Sequence, residues 1–282
     1  MENKLMFQVA SDIHIEKYPL NKRGYDIGNT SPTEDDDPPA EEEKKLLSIT
    51  DFIDVSAPNL ILAGDIGSAY HTEKLTHFLK SCKECFETVI YIAGNNEYYL
   101  RKGFQLRPML ELENTLKNIC AETGVYYLNN SYIETDTHII FGSTWWSRVD
   151  GSPSMNILYD DHTINADDFS YMHYLARISL NKVIKSNEIA KKKLIVVSHY
   201  CPTKIGTMSG YHKRDEFSGL IPYYFSSSES FLNRGDINTW IYGHTHLFRD
   251  FLFEGTNNTT TRIVSNADPR KKFFKKNFVL EI

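Results

Sequence analysis

Val89-Ile90-Tyr91-Ile92-Ala93-Gly94-Asn95-Asn96-Glu97 joins an apolar run rich in β-formers to a glycine, two amides and a carboxylate. It reads as a buried strand whose C-terminal end opens into a polar site. Four other runs share the pattern: Met6-Phe7-Gln8-Val9-Ala10-Ser11-Asp12-Ile13-His14, Leu60-Ile61-Leu62-Ala63-Gly64-Asp65, Leu194-Ile195-Val196-Val197-Ser198-His199 and Trp240-Ile241-Tyr242-Gly243-His244-Thr245-His246. Short apolar runs bounded by turn residues are what parallel strands covered on both faces look like. Ligands in such sheets sit beyond the carboxyl ends of the strands, so ends carrying Asp, His and Asn are expected to converge on one crevice.

With 282 residues, 41% hydrophobic and 13% aromatic, the chain can bury the core of one large α/β domain, expected to span 1–282. A formal charge of -6 argues against a chain-wide footprint for nucleic acid. Cys82, Cys85, Cys120 and Cys201 are too few and too scattered for a secreted disulfide framework and are read as reduced thiols. Cys82 and Cys85 have the spacing of a redox pair or half a zinc site. No second such pair or histidine cluster follows nearby, so they read as two thiols near a helix end. The first strand starts almost at once, and no window approaches the ~20 apolar residues of a membrane span, which points to a soluble cytoplasmic protein with no membrane partner.

Residues 22–45, with Glu34-Asp35-Asp36-Asp37-Pro38-Pro39 and Glu41-Glu42-Glu43, have the composition of a mobile acidic loop. From Glu41 the pattern turns helical, with Leu46, Leu47, Ile49, Phe52, Ile53 and Val55 on one face, and predicts a crossover helix into the Leu60 strand. Further helices are predicted at Thr72 to Phe86, Gln105 to Thr123 and about Ala166 to Ser186. Strands are predicted at Val125 to Leu128, His138 to Ser143, Thr261 to Val264 and Phe278 to Ile282. Two irregular segments, about 145–187 and 202–231, are expected to overhang the crevice.

Asp12 and His14, two residues apart just past a strand, can face one ion only if the backbone leaves β geometry there. The pair His244 and His246 can present one nitrogen to each of two neighbouring metals. Metal sites are clusters whereas structural histidines scatter, so the sets together outweigh any one of them.

The ordered series Asp12-x-His14, Gly64-Asp65, Gly94-Asn95-x-Glu97, His199, Gly243-His244-x-His246 resembles the calcineurin-like metallophosphoesterase superfamily. The resemblance implies a four-layer α/β/β/α sandwich with two central mixed sheets. It implies that Asp12, His14, Asp65 and His246 hold one metal, that Asp65, Asn95, His199 and His244 hold a second, and that Asp65 bridges them. Two divalent ions at ~3.5–4 Å generate hydroxide near neutral pH and clamp phosphoryl oxygens. The mixed O/N donor set suits manganese, iron or zinc.

Where the family has a histidine, this chain has Asn96, which donates hydrogen bonds but is no general acid at neutral pH. Another residue supplies the proton, or the leaving group needs none, or the protein binds more than it turns over. Glu97 loses the partner it has in the family pattern and becomes a candidate structural residue. Of the other histidines, His77 and His138 read as structural, while His71, His162 and His212 lie where they could reach the crevice. His212 ranks first because Lys213 and Arg214 would attract phosphate.

The expected catalytic set is therefore Asp65, Asn96 and His212. Asn95, Asn96, Trp146 and Arg148 are the expected substrate contacts, Trp145-Trp146-Ser147-Arg148 being either a stacking platform with a phosphate clamp or core packing. Arg270-Lys271-Lys272-Phe273-Phe274-Lys275-Lys276 reads as a solvated turn with buried phenylalanines rather than a nucleic-acid patch. The expected reaction is hydrolysis of a small phosphorylated substrate by hydroxide attack, a phosphodiester such as a nucleotide or cyclic nucleotide ahead of nucleic acid. Phosphomonoester or phosphoprotein hydrolysis is the alternative within the class, and a metal-binding pseudoenzyme the alternative outside it.

Overall fold

Each apolar run becomes a strand buried on both faces. The computed structural model describes residues 5–18, 46–149, 155–206 and 223–282. In chain order the strands are β1 (Met6–Ala10), β2 (Asn59–Ala63), β3 (Thr88–Ile92), β4 (Tyr126–Tyr127), β5 (Ser131–Glu134), β6 (His138–Ser143), β7 (Leu158–Tyr159), β8 (His162–Thr163), β9 (Lys193–Ser198), β10 (Thr239–Ile241), β11 (Phe248–Glu254), β12 (Thr260–Asn266) and β13 (Val279–Glu281). The helices are α1 (Thr72–Cys85), α2 (Met109–Thr123), α3 (Ala166–Ala190) and the short α4 (Glu229–Leu232).

One sheet has the order β13-β1-β2-β3-β4 and a second β11-β12-β10-β9-β6-β5, while β7 and β8 form a small hairpin. Neighbours β1, β2 and β3 are parallel, as are β6, β9, β10 and β12, whereas β13, β11 and β5 pair antiparallel, so both large sheets are mixed. The five runs are thus divided, three in the first sheet and two in the second.

Side chains alternate across a strand. Leu60, Leu62, Val89 and Tyr91 therefore face outward onto Leu75, Phe78 and Leu79 of α1 and Leu112 and Leu116 of α2. Ile61, Ala63, Ile90 and Ile92 face inward onto Ile140, Ile195, Val197 and Ile241 of the second sheet. The opposite face of that sheet carries Phe141, Leu194, Val196 and Trp240 against Ala176, Leu180, Val183 and Ile184 of α3. Three apolar layers between four layers of structure make the α/β/β/α sandwich.

Two expectations are corrected, and one falls outside the described residues. Residues 22–45 lie outside the described residues, and the segment from Leu46 holds a single 3-10 turn, Ile49–Asp51, rather than a crossover helix. Ile49, Phe52 and Ile53 are buried, as their spacing predicts, but a Ser48–Asp51 capping box closes one turn. The following backbone is then bonded elsewhere: Gln8 Nε2 donates to Asp54 O at 2.9 Å, Ser56 N donates to Gln8 Oε1 at 2.7 Å, and Asp54 N donates to Lys276 O at 3.0 Å. Side-chain and tertiary bonds have outcompeted the helix ladder.

Helix α2 starts at Met109, four residues late, because Pro108 is extended (φ -55°, ψ 142°) and disfavours helix in the residue before it. Within 145–187 the predicted helix is present as α3, and the stretch before it contains the unpredicted β7–β8 hairpin. Among the described residues no helix is long and apolar enough to cross a membrane.

His173 on α3 is buried, its ring edge-on to Trp145 at 5.7 Å. Burial, with Arg177 and Arg148 nearby, pushes it down to about 4. The unfolded chain, with an ordinary histidine near 6.5, binds a proton in the window between those values that the folded chain refuses. This contribution is complete above about pH 6.5 and is lost as pH falls toward 4. Urea unfolding at pH 7.5, 6 and 5 is expected to show a shallower acid loss of stability for His173→Phe than for the wild type.

Candidate metal centre

The carboxyl ends of β1, β2, β3, β9 and β10 each lead into a loop carrying ligating side chains. Asp12, His14, Asp65, His244 and His246 all have φ between 53° and 65°, in the left-handed region. Such backbone costs about 1–3 kcal/mol per residue and persists where the surroundings over-determine it. It turns Asp12 and His14 to one side, as their spacing requires. Glycine precedes several ligands for lack of room: a Cβ on Gly243 would lie 2.8 Å from Asp12 Oδ2 and 2.7 Å from Ala63 O.

Two sets result. Ligating atoms of Asp12, His14 and His246 all lie within 4.8 Å of one another, as do those of Asp65, His199 and His244. His246 Nε2 is 3.3 Å from Asp12 Oδ1. The Asp65 oxygens face both sets: Oδ1 is 3.3 Å from His199 Nε2 and Oδ2 is 3.8 Å from His14 Nε2. Asn95 Oδ1 reaches the second set at 3.1 Å from His199 Nε2, its amide fixed by an Nδ2 bond to Tyr99 Oη at 2.9 Å.

The donors fit divalent cations. His14 Nε2 is buried and has no hydrogen-bond partner. The other histidines are oriented by their second nitrogens, as metal-binding imidazoles usually are. His199 Nδ1 donates to Ala63 O at 3.0 Å, His244 Nε2 donates to Tyr223 O at 2.9 Å, and His246 Nδ1 donates to Asp268 Oδ2 at 2.7 Å. The field of the site calls for positive charge. Burial depresses His199, but Asp65 and Asp12 raise it to about 9. Burial and the neighbouring His199 push His244 down to about 4. Burial opposes ionisation of Asp65, yet His199, His14 and His244 hold it well below the usual carboxylate range.

Glu97, fully buried, braces these loops. Its carboxylate accepts from Asp65 N (3.1 Å), Ile66 N (2.8 Å), Gly94 N (2.8 Å) and Tyr91 Oη (2.8 Å). Burial and the Asp65 carboxylate raise its pKa, and the donors work against them.

Other predicted residues fall differently. Trp146 is buried, ringed by Phe169, Tyr98 and Tyr200 at 4.9, 6.2 and 5.7 Å. It is core rather than a stacking platform, because the strand end points it toward α3. Arg148 is exposed. Asn96 is buried, with both ends of its amide engaged by protein. His71 lies edge-on to Phe104 at 5.0 Å, and His162 pairs with Asp168 at 2.9 Å beside the start of α3. His212 lies outside the described residues.

Glu16, Arg101, Tyr99 and Asp268 were not predicted. Asp268, just past β12, shows the same acid-after-strand pattern as Asp12 and was open to discovery by it. Arg270 of the basic run pairs with it at 2.7 and 3.0 Å. Phe274 of that run, partly buried, packs on the core, while Phe273 is exposed, so neither phenylalanine is fully buried as expected.

A four-layer sandwich with acid and histidine sets at its strand ends is the class of metal-binding phosphoesterase folds. The chain belongs to the calcineurin-like phosphoesterase family, whose family model matches residues 7–248. An uncharacterised protein, L509, of Acanthamoeba polyphaga mimivirus is 28% identical over 217 residues, covering 70% of this chain and 74% of that protein. Among solved structures, phosphopantetheinyl hydrolase from Mycobacterium tuberculosis superposes with a TM-score of 0.64 at 14% identity, covering 99% of this chain and 96% of its own. A putative 5'-nucleotidase from Staphylococcus aureus matches at a TM-score of 0.45 and 13% identity, over 94% of this chain and 49% of its own.

Two predictions separate ligand support from packing. Asp268→Ala is expected to weaken manganese binding about 10–100-fold, read by equilibrium dialysis. Trp146→Ala should cost about 3–5 kcal/mol in urea unfolding, the range for emptying an aromatic core site.

Proposed function

We propose that this chain is a dinuclear metal-dependent phosphoester hydrolase whose preferred substrate is a phosphodiester, a nucleotide or cyclic nucleotide in particular. The observation that carries the reading is Asp65, with one oxygen turned to each ligand set. In this reading Asp12, His14, Asp65 and His246 hold one ion, and Asp65, Asn95, His199 and His244 the other. The bound ions, manganese being the leading choice over iron and zinc, supply Lewis acidity toward phosphoryl oxygens and acidify water near neutral pH.

The protein's own part is orientation. Backbone carbonyls of Ala63 and Tyr223 and the Asp268 carboxylate fix the imidazole tautomers, and Tyr99 turns the Asn95 oxygen inward. Asn96 offers no proton at neutral pH, which favours leaving groups needing none from that position. His212, beside Lys213 and Arg214, is the proposed proton donor where one is required. Tyr224, 40% exposed and with its ring 5.4 Å from that of His244, supports a nucleotide by offering a stacking face beside the second set. None of Cys82, Cys85, Cys120 and Cys201 is joined in a disulfide, which suits a reducing compartment and a cytoplasmic location.

With manganese, the purified protein should hydrolyse bis(p-nitrophenyl) phosphate faster than p-nitrophenyl phosphate. Tyr224→Ala should raise KM for a cyclic nucleotide about tenfold, the equivalent of ~1.4 kcal/mol of base stacking. No turnover of either aryl ester by protein carrying two metals would overturn the hydrolase reading and leave a metal-binding pseudoenzyme. A monoester preferred over the diester would move the substrate class to phosphomonoesters.

A further inference from the structure

The residue that stands where the family has a histidine is held at both ends. Arg101 Nη2 donates to Asn96 Oδ1 at 2.7 Å, to Asn96 O at 2.9 Å and to Glu16 Oε1 at 3.1 Å. Asn96 Nδ2 donates to the same Glu16 oxygen at 2.9 Å and lies against His14 Nδ1. His14 Nδ1 is itself 3.3 Å from Glu16 Oε1, while its Nε2 is turned toward Asp65. The group is shut away from water, with the Glu16 side chain 2% and the Arg101 side chain 13% exposed.

A carboxylate and a guanidinium taken out of water are costly unless each is paired and hydrogen-bonded. Here the pair is used to fix an imidazole. An acceptor on Nδ1 sets the tautomer that leaves Nε2 free as a donor to a cation. Asn96 suits the junction because one small amide supplies a donor for Glu16 and an acceptor for Arg101 at once. A histidine's one N–H and one bare nitrogen sit on different sides of its ring, so it could not meet Glu16 and Arg101 from a single end as the amide does.

We propose that Glu16, Arg101 and Asn96 form a brace for His14, so that position 96 in this chain positions a metal ligand instead of serving the substrate. Arg101 and Glu16 are positioning residues, acting through His14. The proposal rests on the dinuclear reading above, and it gives the histidine-to-asparagine exchange a compensating role. Asn96→His is then not a restoration of an acid but damage to a metal site.

Manganese binding to the wild type and to Arg101→Ala, Arg101→Lys, Glu16→Gln and Asn96→His tests this by equilibrium dialysis, with thermal melts of the metal-free proteins and kcat and KM on an alkyl phosphodiester at saturating manganese. Arg101→Ala and Asn96→His are each expected to weaken one of two manganese sites by about 10–100-fold while the other keeps wild-type affinity. Metal-free melts should stay within a few degrees of wild type, Arg101→Lys should recover part of the affinity, and kcat of Asn96→His should not rise. If Arg101→Ala does not fold, Glu16→Gln and Arg101→Lys carry the same comparison. Two full-affinity sites in both Arg101→Ala and Asn96→His would overturn the brace and leave the dinuclear reading standing. So would a higher kcat for Asn96→His with its manganese binding intact, which would put position 96 against the substrate. A wild type that binds no manganese would overturn both.

Discussion

The site depends on one buried carboxylate that is not itself among the candidate ligands. Glu97 gathers the amides of Asp65, Ile66 and Gly94 and the hydroxyl of Tyr91, so the loops after β2 and β3 are pinned to a common point. Four donors on two oxygens leave that carboxylate little freedom, and a group of this kind left without partners in the core would be costly. Asp65 and Asn95 come from these two loops, so their spacing is set by Glu97 rather than by their own rotamers. In the family pattern the same position orients a histidine. Here the acid serves three backbone amides and a tyrosine hydroxyl.

The second constraint is strain distributed across the ligands. Five candidate ligands sit in left-handed backbone, each at a cost of about 1–3 kcal/mol, and the sum is comparable with the whole stability of an ordinary domain. The sandwich meets this with the three apolar layers described above and with hydrogen bonds across the site: Asp12 N donates to Gly64 O and His14 N to Asp65 O, both at 3.0 Å, and Gly243 N to His199 O at 3.1 Å. The cleft is therefore shaped by backbone-to-backbone bonds between loops of both sheets. Its ligands are pre-aimed.

The runs ending at Asp12, Asp65, Glu97, His199 and His246 show in the residues alone because a strand buried on both faces has to be apolar throughout, and its polar end then stands out. The order of those ends suffices for the family and the four layers. The division of the runs between two sheets does not show, since hydrophobic periodicity is the same whichever sheet a strand joins. Leu46 to Val55 misleads because one turn of helical spacing is enough to bury Ile49, Phe52 and Ile53, and nothing local announces that Gln8 and Lys276 will claim the backbone beyond. Trp146 misleads because an aromatic at a strand end has the same identity whether it faces solvent or α3. Arg101 and Glu16 are silent for a different reason: they are separated by 85 positions and acquire meaning only when folding brings them together at Asn96.

Asp12 is braced by the far end of the chain: Ser11 bridges to Ala267, Asn266 Nδ2 donates to Val9 O at 2.8 Å, and Asp268 N donates to Ser11 O at 3.0 Å. Synthesis at about 5–20 residues per second puts roughly 10–50 s between the emergence of Asp12 and that of Asp268. Throughout that interval β1 has no β13 beside it, and until its last few seconds the first set lacks His246. The candidate metal centre is thus among the last features a nascent chain can complete, and a ribosome stalled just before β10 holds nine of the thirteen described strands and five of the seven candidate ligands.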